Sequence, residues 1–403
     1  MRMMKKAAAL VLAASLGVSA LTGCGSTKLD GTKTLIALGD DTVSLGAGSL
    51  YARYQQAQIY KYWGAYFGQG GEIFDMVTNS STGETYGESL KESAMDDLKK
   101  MLAIKQHASE YKVELTEEQK SAIDAAAQAY IDGNGDEVKN MIGASKEDAV
   151  TLMELQTIRS LMMDPIVADV DTNIPDDEVQ QSSLTYITFN VNDDEDDSTD
   201  DEAAAKDTAQ KVLDAILALE KVADADLSET ASGFEEGLTA STGTFTTNDP
   251  EDTYLDASII EAVKDAKEGE VIDHVIKSED GDHYYIVRFD KTFDEDATES
   301  ERNSAIVQRK QDKYNEVTDG WVEEAEFTID EDAWKSVVIN DAAAYTLKDP
   351  ESTAEEAAEP AAESEAVSAA ESAAESEIMS AVESAAESEI VSDVESAAES
   401  AAE

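Results

Sequence analysis

The chain has 403 residues, of which 88 are acidic and 30 are basic, so its formal net charge is -58. Nucleic-acid binding is excluded, because contacts with phosphates need clustered Lys and Arg that this chain lacks. Its single cysteine cannot form an internal disulfide, so an ordinary hydrophobic core must hold the fold. With 42% apolar residues, the chain is long enough for two or three folded modules.

The N-terminus has the pattern of a bacterial lipoprotein signal. Three basic residues precede an apolar run over residues 7–20, which ends in the motif LTGC at 21–24. The run is too short to span a bilayer, so residues 1–23 are predicted to be a signal peptide. Cleavage would leave Cys24 to carry acyl chains such as palmitate, each buried methylene contributing about 0.8 kcal/mol to membrane binding. The alternative is an ordinary signal peptide with an incidental cysteine.

Residues 349–403 form a low-complexity tail, which repeats every twelve residues from Glu359 onward. From Glu351 to Glu403 it contains 16 acidic and no basic residues. So little apolar surface cannot offset the entropy of ordering the chain, so the tail is predicted to be disordered or transiently helical. An interaction tail is the alternative, but the repeat specifies no partner.

After a linker over 24–34, residues 35–177 are predicted to be mainly helical. The first long helix carries aromatic residues at helical spacing, and four of them are candidates for binding non-native client proteins: Tyr51, Tyr54, Trp63 and Phe67. A stripe of this kind is more often part of a core, and that alternative stays open.

Further along this module, local signals predict where helices begin and end. Thr116-x-x-Gln119 is a capping box, and Ser145 is a helix cap. The helical pattern stops at Asp164-Pro165.

A mixed segment follows. Alternating residues predict strands over 184–191, 271–276 and 283–289, and helical spacing predicts helices over 203–222 and 258–266. A Gly/Thr-rich stretch over 233–247 separates the two helices. A long helix is predicted from Glu295 to about Glu324, followed by an irregular piece around Trp334 that is expected to pack back on the N-terminal module.

Two motifs near the end of this segment resemble a parvulin-type prolyl isomerase domain. Gly269-Glu270-Val271, followed by GDHYYIV at 281–287, is similar to the turn and final strand of that family. The helical module, with its LTEE motif at 115–118, is similar to the chaperone module of the PrsA and SurA foldases. The resemblance implies an α+β protein, in which residues 178–294 are a parvulin-like domain inserted in the chaperone module and 295–348 complete that module.

The same resemblance suggests where a prolyl isomerase site would lie. Parvulins place one histidine on the first strand and one on the last; His283 matches the second, whereas Tyr186 stands at the place of the first. The apolar cradle for the proline ring falls at Leu255 and Ile259. Tyr186 and His283 are expected to be close enough to bond each other or a nearby polar group such as Thr188, Asp273 or Ser278. For His283, a satisfied core histidine is an open alternative.

Other chemistries have weaker support in the sequence. The three histidines are scattered and no phosphate-binding loop is present, so no cofactor or metal is expected. The acidic run 193–202 is interpreted as a solvated loop, with weak calcium binding as the alternative.

The predicted function is a lipid-anchored foldase or chaperone outside the bacterial cell membrane, acting on unfolded or partly folded secreted polypeptides. An active prolyl isomerase with an altered site is one alternative, and a non-enzymatic surface binding or scaffold lipoprotein is another.

Overall fold

The computed structural model describes residues 16–18, 28–67, 73–134, 136–191, 198–235, 237–250, 253–341 and 345–347. Within these ranges, side chains are not described for 16–18, 61–67, 136–138, 198–201 and 345–347. Cys24 and the predicted tail 349–403 therefore lie outside the described residues.

The fold class is α+β, as predicted, because long helices predominate and every described strand pairing is antiparallel. The described helices, in chain order, are α1 Leu45–Phe67, α2 Tyr86–His107, α3 Glu117–Gly133, α4 Asp136–Ile142, α5 Lys146–Ile166, α6 Asp176–Val179, α7 Ser198–Leu217, α8 Leu227–Ser232, α9 Ala257–Val263, α10 Glu295–Glu324 and α11 Glu331–Trp334. A 3-10 turn covers Val222–Asp224.

The strands are short, apart from two in the middle of the chain. In chain order they are β1 Leu16–Val18, β2 Thr34–Leu38, β3 Asp41–Ser44, β4 Val77–Asn79, β5 Glu84–Thr85, β6 Gln181–Asn190, β7 Ala240–Thr246, β8 Glu270–Val271, β9 Ile276–Lys277, β10 His283–Lys291, β11 Thr328–Ile329 and β12 Tyr345–Leu347. Strands β11, β2 and β3 form one sheet, while β1 pairs with β12 and β4 pairs with β5.

The chain divides into two compact units. The first consists of the residues up to Ala168 and from Tyr314 onward, and the second is Asp169–Lys313. The second unit is therefore longer than the insertion predicted over 178–294. Whether the two units are a chaperone module and a parvulin-like domain stays a prediction.

Hydrogen bonds at the helix ends explain where the predicted helices of the first unit begin. The Thr116 side chain accepts from the Gln119 N–H at 3.2 Å, and the Gln119 side chain accepts from the Thr116 N–H at 2.9 Å. Ser145 and Asp148 form the same reciprocal box at the start of α5. These caps satisfy N–H groups that have no partner inside the helix.

Helix α5 runs past the point where the sequence predicted its end. Pro165 lies inside it, one residue before its C-terminal Ile166. A stop was predicted here because a proline removes one backbone donor and crowds the preceding turn. The helix continues for one residue beyond Pro165, so the prediction was wrong by about one residue.

The core of the first unit consists of apolar residues from the N-terminal helices and from the segment around Trp334. Its largest cluster includes Phe74, Leu98 and Met101 together with Trp334 and Ile339. The segment around Trp334 therefore packs back on the N-terminal helices, as predicted.

A five-stranded antiparallel sheet is the centre of the second unit. Its strand order is β7-β6-β10-β8, and β9 pairs with β10 as well. Strand β7 lies in the Gly/Thr-rich stretch, which the sequence did not predict as a strand. The strand predicted over 271–276 is instead two two-residue strands, β8 and β9, with an irregular turn between them.

Helices cover both faces of this sheet. On one face Ile187, Phe189 and Ile286 pack with residues of α7 and α8. On the other face Leu184, Val287 and Phe289 pack with residues of α9. The alternation of side chains along β6 and β10 thus assigns every residue of the two strands to one of the two faces.

The N-terminal half of α10 belongs to the second unit because two arginines join it to the segment before β6. Arg302 donates to the carbonyl oxygen of Ile174 and, at 2.6 Å, to the carboxylate of Asp176. Arg309 donates to the carboxylate of Glu178 at 2.7 Å.

Candidate functional site

The candidate site lies on the α9 face of the sheet in the second unit, where β6 and β10 run side by side. Their register pairs His283 with Asn190, Tyr285 with Thr188 and Val287 with Tyr186. Because every second residue of a strand points to the same face, these six residues share one face. The two strands that carry the predicted site are therefore neighbours, as expected.

His283 is half-buried at the start of β10 and is tied to the turn before it. Its backbone N–H donates to the Ser278 hydroxyl at 2.9 Å, and its carbonyl accepts from the Ser278 N–H at 2.9 Å. The Ser278 hydroxyl in turn donates to Asp280 at 2.5 Å, and this bond lowers the pKa of the Asp280 carboxyl. The position of the imidazole is therefore set by a bonded turn as well as by the strand.

The side-chain partner of His283 is Asn190. His283 Nδ1 lies 3.1 Å from Asn190 Oδ1. An amide oxygen accepts but does not donate, so this contact favours the tautomer with hydrogen on Nδ1 and leaves Nε2 for another group.

Tyr186 is farther from His283 than the sequence suggested. Tyr285 lies between them, with its ring centroid 6.1 Å from that of His283 and 6.3 Å from that of Tyr186. The Tyr186 and Tyr285 rings meet edge to face at 78°. The structure thus forms a row of three rings, and no hydrogen bond joins its two ends among the described side chains.

Leu255 and Ile259, the predicted cradle for a proline ring, lie on the same side of the sheet and pack in its apolar cluster. They are only 7% and 1% exposed. Gly243 of β7 makes room for Leu255, because a Cβ at that position would lie 2.7 Å from Leu255 Cδ2. Both side chains therefore fill the core beneath the site and present little surface to a ligand.

The electrostatics of the row keep the Tyr285 hydroxyl neutral. Burial, followed by the negative charges of Asp256 and Asp280, raises the pKa of Tyr285 to about 12. At neutral pH the hydroxyl is therefore a hydrogen-bond donor that sits among negative charges.

No protein-family model matches the chain, and no curated protein does. Several solved structures are similar to it. The foldase protein PrsA from Lactococcus lactis has 15% identity and a TM-score of 0.32, with 76% of this chain and 97% of that chain covered. For the foldase protein PrsA from Streptococcus pneumoniae the values are 14%, 0.28, 76% and 98%.

A third solved structure is the peptidylprolyl isomerase PrsA from Bacillus cereus. Its identity is 18% and its TM-score 0.26, with 65% of this chain and 96% of that chain covered. All three of these structures are named PrsA.

The remaining polar residues predicted near His283 are Asp273 and Thr188. Asp273 faces His274 at 3.1 Å, and both are largely exposed. Thr188 lies opposite Tyr285 on β6. Within the described residues, no group of three or more His, Cys, Asp or Glu is arranged to hold a metal ion.

The predicted client-binding residues divide into two pairs. Tyr51 and Tyr54 are buried, at 4% and 8% exposure, in the core of the first unit. The Tyr51 hydroxyl donates to Asp97 at 2.7 Å. Their burial favours the core alternative. The side chains of Trp63 and Phe67 lie outside the described ones, so a client-binding role on this helix stays a prediction.

Membrane attachment rests on the sequence motif at Cys24, which is outside the described residues. In the part of the chain that the structure describes, no helix has the length and apolar character needed to cross a membrane.

Two residues of the site were not found from sequence. The family motif predicts site residues only at His283 and at the place of the missing histidine, so it does not indicate Asn190 or Tyr285. Strand alternation was the available signal, since residues 283 and 285 must share a face.

Proposed function

We propose that this chain is an extracytoplasmic foldase, held at the outer face of the bacterial membrane by lipid on Cys24, that binds unfolded or partly folded secreted polypeptides. The observation that carries the proposal is the pairing of β6 with β10. It brings His283, Tyr285 and Tyr186 to one face beside α9, the arrangement that the parvulin resemblance requires of its first and last strands.

Two features of the site indicate that prolyl isomerisation is slow. Lowering a barrier of roughly 18–20 kcal/mol requires an apolar slot for the proline ring and fixed polar groups at the amide. The polar groups are present, but Leu255 and Ile259 are buried and the partner of His283 is Asn190. Chaperone activity is therefore the main expected activity, with isomerisation a minor one.

The lipid anchor is supported by the basic start, the short apolar run and the LTGC motif that ends at Cys24. Cleavage before Cys24 would also remove β1, so β12 would lose its antiparallel partner in the mature protein.

The proposed function is tested with the mature chain carrying Cys24→Ser, so that it can be handled without detergent. Two activities are measured: suppression of aggregation of a denatured secreted protein, and isomerisation of a short Xaa-Pro peptide. Suppression at near-equimolar ratios is expected, together with weak isomerisation that falls in His283→Ala. His274→Ala is the matched control, because this histidine is exposed and, among the described residues, pairs with its neighbour Asp273.

Failure of both activities would overturn the foldase proposal and leave the surface-scaffold alternative. Rapid isomerisation abolished by His283→Ala would instead establish the altered-site enzyme. The anchor is tested separately by the membrane fraction of the full chain, which is expected to lose the protein in Cys24→Ala.

A further inference from the structure

Tyr285 occupies the central position of the candidate site, between the two residues that the sequence singled out. Its side chain as a whole is 7% exposed and its ring contacts the rings of both His283 and Tyr186, but its hydroxyl oxygen is not among the enclosed polar atoms that lack a partner. Its neighbour on β10, Tyr284, points to the opposite face, where its hydroxyl donates to Glu202 at 2.8 Å. The strand therefore carries two adjacent tyrosines in contrasting environments.

The hydroxyl of Tyr284 has an acceptor, whereas the described residues provide none for the hydroxyl of Tyr285. Each of the two nearby carboxylates uses one oxygen to bond groups of its own turn. Asp256 accepts from the Ser258 N–H at 2.8 Å and from the Ser258 hydroxyl at 2.6 Å. Asp280 accepts from the Ser278 hydroxyl and from the Asp282 N–H.

A neutral hydroxyl near two carboxylates suits one kind of ligand atom. An uncharged acceptor can take its hydrogen, while an anion would meet the repulsion of Asp256 and Asp280. The backbone carbonyl of a polypeptide is such an acceptor. The Tyr186 and His283 rings on either side supply apolar and aromatic surface for a proline ring next to that carbonyl.

We propose that Tyr285 donates a hydrogen bond to the carbonyl oxygen of the amide that precedes proline in a bound client segment. The inference rests on the proposed function, since it assumes that the site receives prolyl segments.

The test is a double-mutant cycle, in which one atom of the peptide and one atom of the protein are changed separately and together. Two fluorescently labelled Ala-Lys-Pro-Phe peptides are compared, one with oxygen and one with sulfur at the amide before proline. Sulfur is the weaker hydrogen-bond acceptor. Affinity for the mature chain is measured by anisotropy for the unsubstituted protein and for Tyr285→Phe, with Tyr186→Phe as the rival donor and Tyr284→Phe as the matched control.

Loss of one hydrogen bond is expected to weaken binding of the oxygen peptide about three- to tenfold in Tyr285→Phe. The change from oxygen to sulfur should weaken binding to the unsubstituted protein but not to Tyr285→Phe. A merely structural role for the hydroxyl would lower affinity for both peptides equally. Tyr284→Phe should bind both peptides as the unsubstituted protein does.

Equal oxygen-to-sulfur ratios in the unsubstituted protein and Tyr285→Phe would overturn the inference while leaving prolyl binding, and so the proposed function, in place. If the affinities for the oxygen and sulfur peptides become equal in Tyr186→Phe instead, the contact belongs to Tyr186. If the unsubstituted protein binds neither peptide, the proposed role of this site in client binding fails, and the inference fails with it.

Discussion

His107 and Trp321 stack face to face in the first unit, with ring centroids 4.3 Å apart and ring planes within 9° of parallel. His107 is the last residue of α2 and Trp321 lies near the end of α10. Tyr111 meets the same indole edge-on at 5.8 Å, and Glu110 Oε1 lies 3.0 Å from His107 Nδ1. The stack thus joins the end of α10 to a helix that precedes it by about 200 residues.

The stack is expected to contribute to stability as a coupled pair. His107→Ala and Trp321→Ala should each lower the free energy of unfolding, and the double variant should show a coupling of about 0.5–1.5 kcal/mol. Urea unfolding followed by far-ultraviolet circular dichroism measures all four proteins. His274→Ala, which removes an exposed histidine in the second unit, is the control. Additive single effects would mean that the two rings do not interact in solution.

Gly87 of α2 allows the segment around Ile339 to pack closely against this helix. A Cβ there would lie 2.1 Å from the Ile339 carbonyl oxygen, and that oxygen belongs to the backbone and cannot rotate away. Gly87→Ala should therefore destabilise the first unit by about 1–3 kcal/mol, as overpacking does. Thermal unfolding checks this.

The matched control is Gly320→Ala, since a Cβ at position 320 of α10 meets nothing within 4 Å. It should raise stability by about 0.5–1 kcal/mol. Similar melting temperatures for the two alanine variants would contradict the packing of Ile339 on α2.

Arg288 is expected to be a main polar support of the second unit. Its side chain is 12% exposed, pairs with Asp290, and donates to the carbonyl oxygens of Val222 at 3.1 Å and Ala225 at 2.7 Å. Arg288→Ala leaves these acceptors without their donor and should cost about 3–5 kcal/mol in denaturant unfolding.

A surface ion pair supplies the comparison. Lys264 and Glu261 are 67% and 76% exposed, so Lys264→Ala should change stability by no more than about 0.5 kcal/mol. Arg288→Ala with a cost as small as this would show that solvent replaces its bonds.

Stability should fall in alkaline solution because burial raises the pKa values of Tyr285 and Tyr314 to about 12 from an ordinary 10.0. The unfolded chain loses these protons first, so the stabilisation is complete below pH 10.0 and is lost as pH rises toward about 12. Unfolding free energies between those limits should decline less steeply in the double variant Tyr285→Phe, Tyr314→Phe. Parallel curves would indicate that both hydroxyls ionise as in the unfolded chain.

Local features of the fold were predictable. The capping boxes at Thr116 and Ser145 depend on bonds between residues three apart, so the residues themselves specify them. Strand β7 was missed because Gly243 interrupts it and it lies in a glycine-rich stretch, although its threonines and Phe245 favour a strand. It is a strand because β6 pairs with it along its whole length and because Gly243 admits Leu255.

For the candidate site, the sequence predicted which strands would meet but not which side chains. It placed His283 on the last strand and Tyr186 on the first. Their separation depends on the register between β6 and β10, and a shift of one residue would turn a different set of side chains toward α9.

What the sequence determined by itself is therefore local or compositional: the acidic composition, the helix caps and the alternation of the strands. Only the tertiary structure decided that Asn190 is the partner of His283, that Tyr285 separates His283 from Tyr186, and that Leu255 and Ile259 are buried. These facts depend on contacts between residues far apart in the chain, and such contacts are set by packing against the whole core rather than by neighbouring residues.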